Sequence, residues 1–243
     1  MKCHLTWGTH GADVAAGRGD IVVIIDVLSF STTVATAVGA GAVVFPCADK
    51  RGATMYARSI GAEEAVSRHE VPAKGRFSLS PLTFSKVERG AKIVLPSPNG
   101  ARCSLAAAKA PIIVAGAFVN SRAVADYALD EAISRGCDIS LMACGEMLTP
   151  YGKDLSIRFA LEDLLGAGAI AAHLNCDKSP EARAAESAFL AVKDGLRNVL
   201  FECESGHELL EMGYPQDIEF AARVGISKTV PVFNGHSYIA DEK

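Results

Sequence analysis

The segment that most constrains this chain runs from Ile21 to Asp26 and reads I-V-V-I-I-D. Branched aliphatic residues in unbroken succession leave no polar face, so the segment predicts a β-strand buried on both sides. Such strands are typical of parallel sheets that helices cover on both faces. The strand ends in an acid, and a carboxylate beside a buried strand is costly unless it has a partner or a chemical role.

The rest of the chain alternates predicted strands with predicted helices. A helix capped by Ser31 or Thr32 is expected to reach Ala40, and residues 68–81 are expected to form a loop. Further strands are predicted at Ala42 to Cys47, Lys92 to Leu95, Ile112 to Ala115, Asp138 to Ala143 and Val230 to Phe233. Further helices are predicted after Gly100 through Ala108 and at Lys50 to Ile60, Asn120 to Arg135, Asp154 to Leu174, Pro180 to Asp194, Gly206 to Glu211 and Pro215 to Val224. This alternation predicts a three-layer α/β/α fold with a mostly parallel central sheet.

Composition limits the classes of partner. No linker or repeat divides the chain, so residues 1–243 are predicted to form one domain. A net charge of −4 argues against a nucleic-acid partner or an acidic membrane, whereas a small anionic substrate needs only a few local cations. The 7 cysteines form no C-x-x-C pair, which predicts reduced thiols in a cytoplasmic protein. No signal peptide or membrane span is expected from the sequence. The oligomeric state is left open, with a homo-oligomer as one alternative.

Asp26 is the first candidate for chemistry, because ligands of parallel α/β sheets bind beyond the carboxyl ends of the strands. We predict that it is a metal ligand or a nucleophile. Ser31, Thr32 and Thr33 follow where a helix N-terminus would bind a phosphate. The alternative is purely structural: the acid and the hydroxyls cap the helix.

A second strand-end feature is the turn Ser97-Pro98-Asn99-Gly100, which follows a predicted strand and opens a helix. Asn99 is predicted to orient a phosphate or a metal-bound water, and Arg102 to pair with an anion. Ser97 and Gly100 are predicted to contact the substrate. Turns of this composition are common, but the position of this one between a strand and a helix strengthens the functional interpretation.

A third feature lies in the predicted long helix, where Asp163 has only small or apolar neighbours three and four residues away. We favour Asp163 over Glu162 as the chemical group, because Arg158 could hold Glu162 in a surface ion pair. Converging carboxylates would bind Mg²⁺, with Asp26, Asp163 and Glu162 as the predicted ligands.

Glu146 and Cys144 also follow a predicted strand. Glu146 is a further candidate acid, with a solvated loop acid as the equal alternative. Cys144 lacks the arginine of the cysteine-phosphatase loop, since Pro150 occupies that position, so an unreactive small residue is favoured. No phosphate-binding loop, dinucleotide fingerprint or zinc-ligand spacing is present in the sequence.

Taken in order, five segments resemble motifs of the 2-phosphosulfolactate phosphatase family. Residues 26–33 resemble the family motif D-V-L-R-A-[ST]-[ST]-T, residues 77–81 resemble F-x-x-G-N-S-P, and residues 97–102 resemble T-T-N-G-T-R. Residues 116–125 resemble G-S-F-x-N-A-x-A-V-A, and residues 161–170 resemble x-L-E-D-x-L-G-A-G-x-I. The resemblance implies an α/β/α fold peculiar to that family. It also implies Mg²⁺-dependent hydrolysis of (R)-2-phospho-3-sulfolactate to 3-sulfolactate and phosphate, a reaction of coenzyme M biosynthesis in methanogens.

The chain departs from those motifs at several positions. Ser29 stands where the family has an arginine, and Leu79 where it has the asparagine of G-N-S-P. The family's G-E-R-G-G segment has its nearest counterpart in residues 61–64. The departures leave two alternatives open: a different small phosphorylated acid as substrate, or a non-catalytic anion-binding protein.

Overall fold

The computed structural model describes residues 1–148 and 156–241, which form strands and helices in alternation. The strands are β1 Lys2–Trp7, β2 Ile21–Ile25, β3 Val43–Cys47, β4 Glu63–Glu64, β5 Lys92–Pro96, β6 Ile112–Ala115, β7 Ile139–Ala143, β8 Glu146–Met147, β9 Ile157–Arg158, β10 Asp177–Lys178, β11 Pro231–Phe233 and β12 Tyr238–Ala240. The α-helices are α1 Gly8–Arg18, α2 Phe30–Gly39, α3 Lys50–Ile60, α4 Gly100–Ala106, α5 Ser121–Arg135, α6 Leu161–Ala171, α7 Pro180–Val192, α8 Leu196–Glu202, α9 Glu204–Glu211 and α10 Pro215–Ala221. Short 3₁₀ turns occupy Arg68–Glu70, Pro81–Phe84, Phe118–Asn120 and Lys193–Gly195.

Ten strands form one mixed, mostly parallel sheet in the order β10-β1-β7-β2-β6-β11-β12-β3-β5-β4. The first five of these strands pair in parallel, as do β3, β5 and β4. The strands β11 and β12 lie between the two groups. The pairings of β6 with β11, of β11 with β12 and of β12 with β3 are antiparallel. Consequently β3, β5 and β4 run in the opposite sense to β2.

Helices cover both faces of the sheet, which confirms the predicted α/β/α architecture. Alternate residues of β2 enter different cores: Ile21, Val23 and Ile25 pack with α5, α6 and α7 on one face. Val22 and Ile24 pack with α1, α2 and α4 on the other. All five side chains are fully buried, as expected for a strand without a polar face.

The sheet curls, and this curl creates the candidate site. β5 lies five strands from β2, which is about 24 Å in a flat sheet with a strand spacing of about 4.8 Å. Gly100 follows β5 by four residues, a reach of at most about 14 Å. Yet its backbone N–H lies 2.7 Å from Asp26, directly after β2. The carboxyl ends of the two oppositely directed groups of strands therefore meet.

The structure differs from the sequence predictions of the fold at two places. No strand or helix was predicted within residues 2–18, where β1 pairs with β7 from Cys3 to Trp7 and α1 follows. The predicted helix from Asp154 to Leu174 begins only at Leu161, after the strand β9. Asp154 itself lies outside the described residues.

The predicted helix cap at Ser31 or Thr32 is also wrong. α2 begins at Phe30 with Ser29 in the N-cap position, two or three residues earlier than predicted. Within the described part of the chain, every helix is too short or too polar to cross a membrane.

Candidate functional site

Asp26 leaves β2 with its carboxylate held by backbone and hydroxyl donors. Its Oδ1 accepts a hydrogen bond of 3.1 Å from the N–H of Phe30. Its Oδ2 accepts one of 2.7 Å from the N–H of Gly100 and a longer one of 3.4 Å from Ser97 Oγ. Burial raises the pKa of Asp26 to about 6, because these donors offset only part of the lost hydration. The carboxyl group of Asp26 is thus fixed in direction, and it loses its proton close to neutral pH.

Gly100 is required at the start of α4 because it approaches the Asp26 carboxylate so closely. A Cβ at this position would lie 2.2 Å from a ring carbon of Phe30 and 2.8 Å from Asp26 Oδ2. Both distances are shorter than van der Waals contacts. The turn predicted from residues 97–100 therefore has a physical reason for its glycine.

Asn99, the residue before Gly100, connects this turn to Glu146 in β8, shortly after the end of β7. Its Nδ2 donates a hydrogen bond of 2.8 Å to Glu146 Oε2, and its Oδ1 accepts one of 3.1 Å from the N–H of Met147. Burial, together with the nearby charge of Asp26, raises the pKa of Glu146 to about 7. Asn99 thus fixes a second carboxyl group beside the first.

Asp163 joins the two strand-end loops from the first turn of α6. Its Oδ1 accepts a hydrogen bond of 2.8 Å from the N–H of Val27, and its Oδ2 accepts one of 2.9 Å from the N–H of Gly145. Val27 follows Asp26, and Gly145 precedes Glu146. Burial, with the charge of Glu162 beside it, raises the pKa of Asp163 well above its ordinary value. The geometry favours a positioning role for Asp163, since both of its oxygens are occupied by backbone donors.

A pocket of about 180 Å³ opens at the meeting point of these loops. Its described polar lining consists of Asp26, Ser29, Arg68, Ser97, Asn99, Glu146, Ser205 and Glu208. Three of these residues are acids, and within the described residues Arg68 is the sole cation of the lining. A phosphate would meet repulsion from the acids unless a bound cation neutralised them.

Arg68 is held rigidly at the rim of this pocket. Its Nε donates to Asp217 Oδ2 at 2.8 Å, and its Nη2 donates to Ser29 Oγ at 2.7 Å and to the carbonyl of Leu79 at 3.1 Å. Asp217 is itself fixed by a hydrogen bond of 2.6 Å from Ser80 Oγ. A guanidinium therefore contacts Ser29, the residue that stands in place of the family's arginine.

The acids of the pocket suit a divalent cation of the Mg²⁺ type. Within residues 1–148 and 156–241, no three His, Cys, Asp or Glu side chains stand close enough together to hold a metal on their own. Mg²⁺ needs fewer, because it commonly binds through one or two carboxylates and completes its shell with waters and substrate phosphate. Asp26 and Glu146 supply two carboxyl groups of raised pKa in one pocket, so the donor set fits.

The structure does not bring the three predicted phosphate-binding hydroxyls to the pocket. Ser31, Thr32 and Thr33 are fully buried. Their hydroxyl groups donate to the backbone carbonyls of Ile24, Val27 and Leu79, respectively. These side chains hold α2 against β2 and the loop at residue 79.

Two other candidates, Arg102 and Glu162, also lie off the pocket lining. Arg102 is absent from the lining. Glu162 is absent too, although its charge raises the pKa of Asp26 and Asp163. The expected ion pair between Arg158 and Glu162 is wrong: Arg158 binds Glu204 at 2.7 Å and Glu208 at 2.9 Å, and Glu162 is buried.

Cys144 is buried beside Cys103, and burial raises the pKa of its thiol well above the ordinary value. This environment supports an unreactive small residue, because the thiolate is the nucleophilic form. All 7 cysteines carry free thiols.

Sequence reasoning missed Arg68 and Glu208 and left Glu146 undecided. Arg68 lies in a stretch that was assigned as loop, 39 positions from Ser29, and no local pattern marks it. The sequence signal that could have found it is the loss of an arginine at position 29, which calls for a cation from elsewhere. Glu208 lies in the predicted helix Gly206 to Glu211, which was expected to face solvent.

Comparison with known proteins bears on this site. The family model described as 2-phosphosulpholactate phosphatase matches residues 10–236. A protein of Carboxydothermus hydrogenoformans, named "Probable 2-phosphosulfolactate phosphatase", is 34% identical over 221 residues, covering 88% of this chain and 86% of the relative. The 2-phosphosulfolactate phosphatase of Methanothermobacter thermautotrophicus is 29% identical over 215 residues, covering 88% of this chain and 86% of the relative.

The similarity extends over β2 and its following loop, the turn at Asn99 and the start of α6, which are the elements that build the pocket. The fold and the order of the site motifs agree with it. The chain belongs to the 2-phosphosulfolactate phosphatase family.

Proposed function

We propose that this chain is a Mg²⁺-dependent phosphatase that hydrolyses (R)-2-phospho-3-sulfolactate to 3-sulfolactate and phosphate. The observation that carries the proposal is the pocket in which Asp26 and Glu146, both of raised pKa, face the guanidinium of Arg68. Relatives that bear the name of this activity support it.

Asp26 and Glu146 are the residues that would hold the ion, with Asp163 and Asn99 positioning them. When bound, Mg²⁺ supplies positive charge that neutralises the phosphoryl oxygens. Asp163 fixes Val27 and Gly145, so the two carboxyl groups keep their separation. Asn99 orients Glu146 directly. These contacts preorganise the pocket before the substrate arrives.

In the hydrolysis itself, the oxygen of a water attacks phosphorus, the bond from phosphorus to the ester oxygen breaks, and a proton of the water passes to the leaving alcohol. Glu146 has a pKa of about 7 without the ion, so it must give up its own proton before it can bind Mg²⁺. The alternative is that Asp26 attacks phosphorus and forms an aspartyl phosphate. Rapid acid quenching of a single turnover with ³²P-labelled substrate separates the two, because only an aspartyl phosphate leaves the label covalently bound to the protein.

The test of the function is phosphate release from phosphosulfolactate by the wild-type protein, after EDTA treatment and after Mg²⁺ is restored. We expect no release with EDTA and full recovery with Mg²⁺. Calcium serves as the control cation, because its larger and more flexible coordination suits the site less well. Turnover that EDTA leaves unchanged would reject the metal, and the absence of turnover with every phosphomonoester would favour the anion-binding alternative.

Ser29 favours a second candidate, a different phosphorylated acid as the preferred substrate. Ser29 carries no charge, and the cation that contacts it comes from another loop. A panel of phosphorylated hydroxy acids, compared by kcat/KM, would decide between the two. A clear preference for phosphosulfolactate would reject this candidate.

A further inference from the structure

A second and larger cavity, of about 440 Å³, adjoins the carboxylate pocket. The two share Arg68, Leu79, Pro98 and Met212 in their lining, so they meet at these residues. The carboxylate pocket alone is small for an organic ligand, whereas the second cavity lies within the range of about 300–1,000 Å³ that small-molecule sites occupy. A ligand with its phosphate beside Asp26 could therefore extend past Arg68.

The chemistry of the two cavities is opposite in sign. Among described residues, the lining of the second cavity includes no acid, and its polar side chains are Lys50, Ser67, Arg68, His69 and Tyr214. Lys50 donates a hydrogen bond to Ser67 Oγ, which holds its ammonium at the cavity wall. The remaining wall is apolar and includes Leu95, Pro96 and Met212. Such a cavity suits an anionic group attached to an apolar chain.

Arg68 stands at the border with one donor atom to spare. Its hydrogen bonds to described residues all come from Nε and Nη2, and Nη1 makes none with them. The side chain is 14% exposed, and its partner Asp217 is fully buried. Asp217 offsets the charge of Arg68 but fixes its orientation, so Nη1 can meet a ligand without the entropy cost of ordering a free side chain.

We propose, on the basis of the phosphatase function with a different phosphorylated acid as the preferred substrate, that this second cavity binds the leaving group of the substrate. The preferred substrates are then phosphomonoesters whose alcohol part is longer than a three-carbon acid. That alcohol ends in a carboxylate or sulfonate bound by Lys50, and Arg68 contacts it between the two cavities. The competing explanation is structural: Arg68 only ties its loop to α10, and the cavity holds water.

A binding experiment without metal tests the cavity independently of turnover. We expect calorimetry to show that 2-hydroxyadipate, with six carbons, binds about tenfold more tightly than malate, with four, because only the longer acid reaches Lys50. The factor corresponds to one charge-assisted hydrogen bond. In Lys50→Gln this difference should vanish. Equal binding of the two acids by the wild type, or an unchanged difference in Lys50→Gln, would overturn the proposal.

A kinetic experiment with Mg²⁺ then locates the effect on the leaving group. Lys50→Gln should raise KM for phosphosulfolactate and for the phosphate ester of 2-hydroxyadipate, with a larger effect on the longer ester. It should leave hydrolysis of p-nitrophenyl phosphate, which has no second anion, unchanged. Lys92→Gln is the matched control, since Lys92 is exposed at the opposite end of β5 from Leu95.

The outcomes separate this proposal from the function on which it rests. If Lys50→Gln weakens all esters equally, Lys50 does not recognise the leaving group and the proposal is wrong. If the wild type hydrolyses no ester, the phosphatase function fails, and the calorimetric difference still decides whether the cavity binds long anionic acids. A sulfonate analogue of 2-hydroxyadipate distinguishes a sulfonate preference from a carboxylate preference.

Discussion

The N–H of Gly100 donates a hydrogen bond of 2.7 Å to Oδ2 of Asp26, and this bond joins the ends of two oppositely directed groups of strands. It requires a position without a Cβ and a sheet that curls. The catalytic pocket proposed here depends on it, because the same turn carries Asn99 and so positions Glu146. The approach of Gly100 to Asp26 therefore links the fold to the chemistry.

Gly100→Ala should damage both stability and activity. The added methyl group would contact Phe30 and the Asp26 carboxylate, and overpacking of this kind costs about 1–3 kcal/mol in the free energy of unfolding. Displacing Asp26 by a fraction of an ångström should lower kcat/KM by about 100-fold. Urea denaturation and phosphate release measure the two effects.

Gly52→Ala is the control for that substitution. Gly52 lies in α3 with open space around its Cβ position, so alanine should stabilise the protein by about 0.5–1 kcal/mol and leave kcat/KM unchanged. Equal effects of the two substitutions would mean that the close approach at Gly100 is unimportant.

Asp163→Asn should destabilise the protein by about 1–3 kcal/mol, because the amide oxygen can accept only one of the two hydrogen bonds from Val27 and Gly145 and the other N–H is left unpaired. Thermal and urea denaturation measure the loss. Glu162→Gln is the neighbouring control and should retain both stability and its requirement for Mg²⁺. If Asp163→Asn keeps full stability but needs far more Mg²⁺ for half-maximal activity, Asp163 is a metal ligand as the sequence predicted.

The stability of the metal-free protein should fall as pH rises from about 4 to 6. The pKa of Asp26 is about 6 in the folded state, above its ordinary value of 3.8, so the folded state binds the proton more tightly than the unfolded state. The stabilising contribution is complete below pH 3.8 and is lost by about pH 6, on the order of 3 kcal/mol. Asp163 contributes in the same direction.

Urea denaturation at pH 4 and 7 with EDTA measures this effect as the difference between the wild type and Asp26→Asn. We expect the stability difference between the two proteins to shift in favour of the variant between pH 4 and pH 7, by about 3 kcal/mol. Saturating Mg²⁺ should restore stability to the wild type alone, because the ion binds only the folded state. Parallel pH curves for the two proteins would contradict the raised pKa.

At limiting Mg²⁺, activity should rise with pH through the range from 6 to 7, because the metal-free carboxyl groups of Asp26 and Glu146 must lose their protons before they can bind the ion. Glu146→Gln should remove the upper step of the pH profile of kcat/KM and lower the plateau by about 100-fold or more. Glu208 lines the same pocket but pairs with Arg158. Glu208→Gln should therefore change kcat/KM and its pH profile little. An unchanged profile in Glu146→Gln would exclude Glu146 from catalysis.

The apolar periodicity of the sequence predicted the buried strands and helices well. Elements that are fixed by pairing with distant strands were predicted less well. The helix at Lys50–Ile60 and the strand at Ile112–Ala115 have the predicted bounds, because their own sequences carry the apolar pattern and the flanking breakers. β1 was missed because its residues show little apolar run, and its pairing with β7 fixes it. Such non-local pairing leaves no local mark.

The candidate site was predicted in the same partial way. Asp26 and Asn99 were recognised because each follows a strand, and they do share a pocket. The hydroxyls of Ser31 to Thr33 were misassigned, since the sequence does not reveal that the helix begins two or three residues earlier and directs them towards backbone carbonyls. Arg68 reaches Ser29 through a loop, and only the folded chain brings them together.

The most direct test of the central claim compares Mg²⁺-stimulated phosphate release by Asp26→Asn and Asp20→Asn. Both acids are buried and flank β2, but Asp20 pairs with Arg18 at the end of the strand away from the pocket. Circular dichroism would confirm that both variants fold. We predict that Asp26→Asn loses turnover by about 100-fold or more while Asp20→Asn keeps it within a few-fold. Wild-type turnover in folded Asp26→Asn would contradict the account.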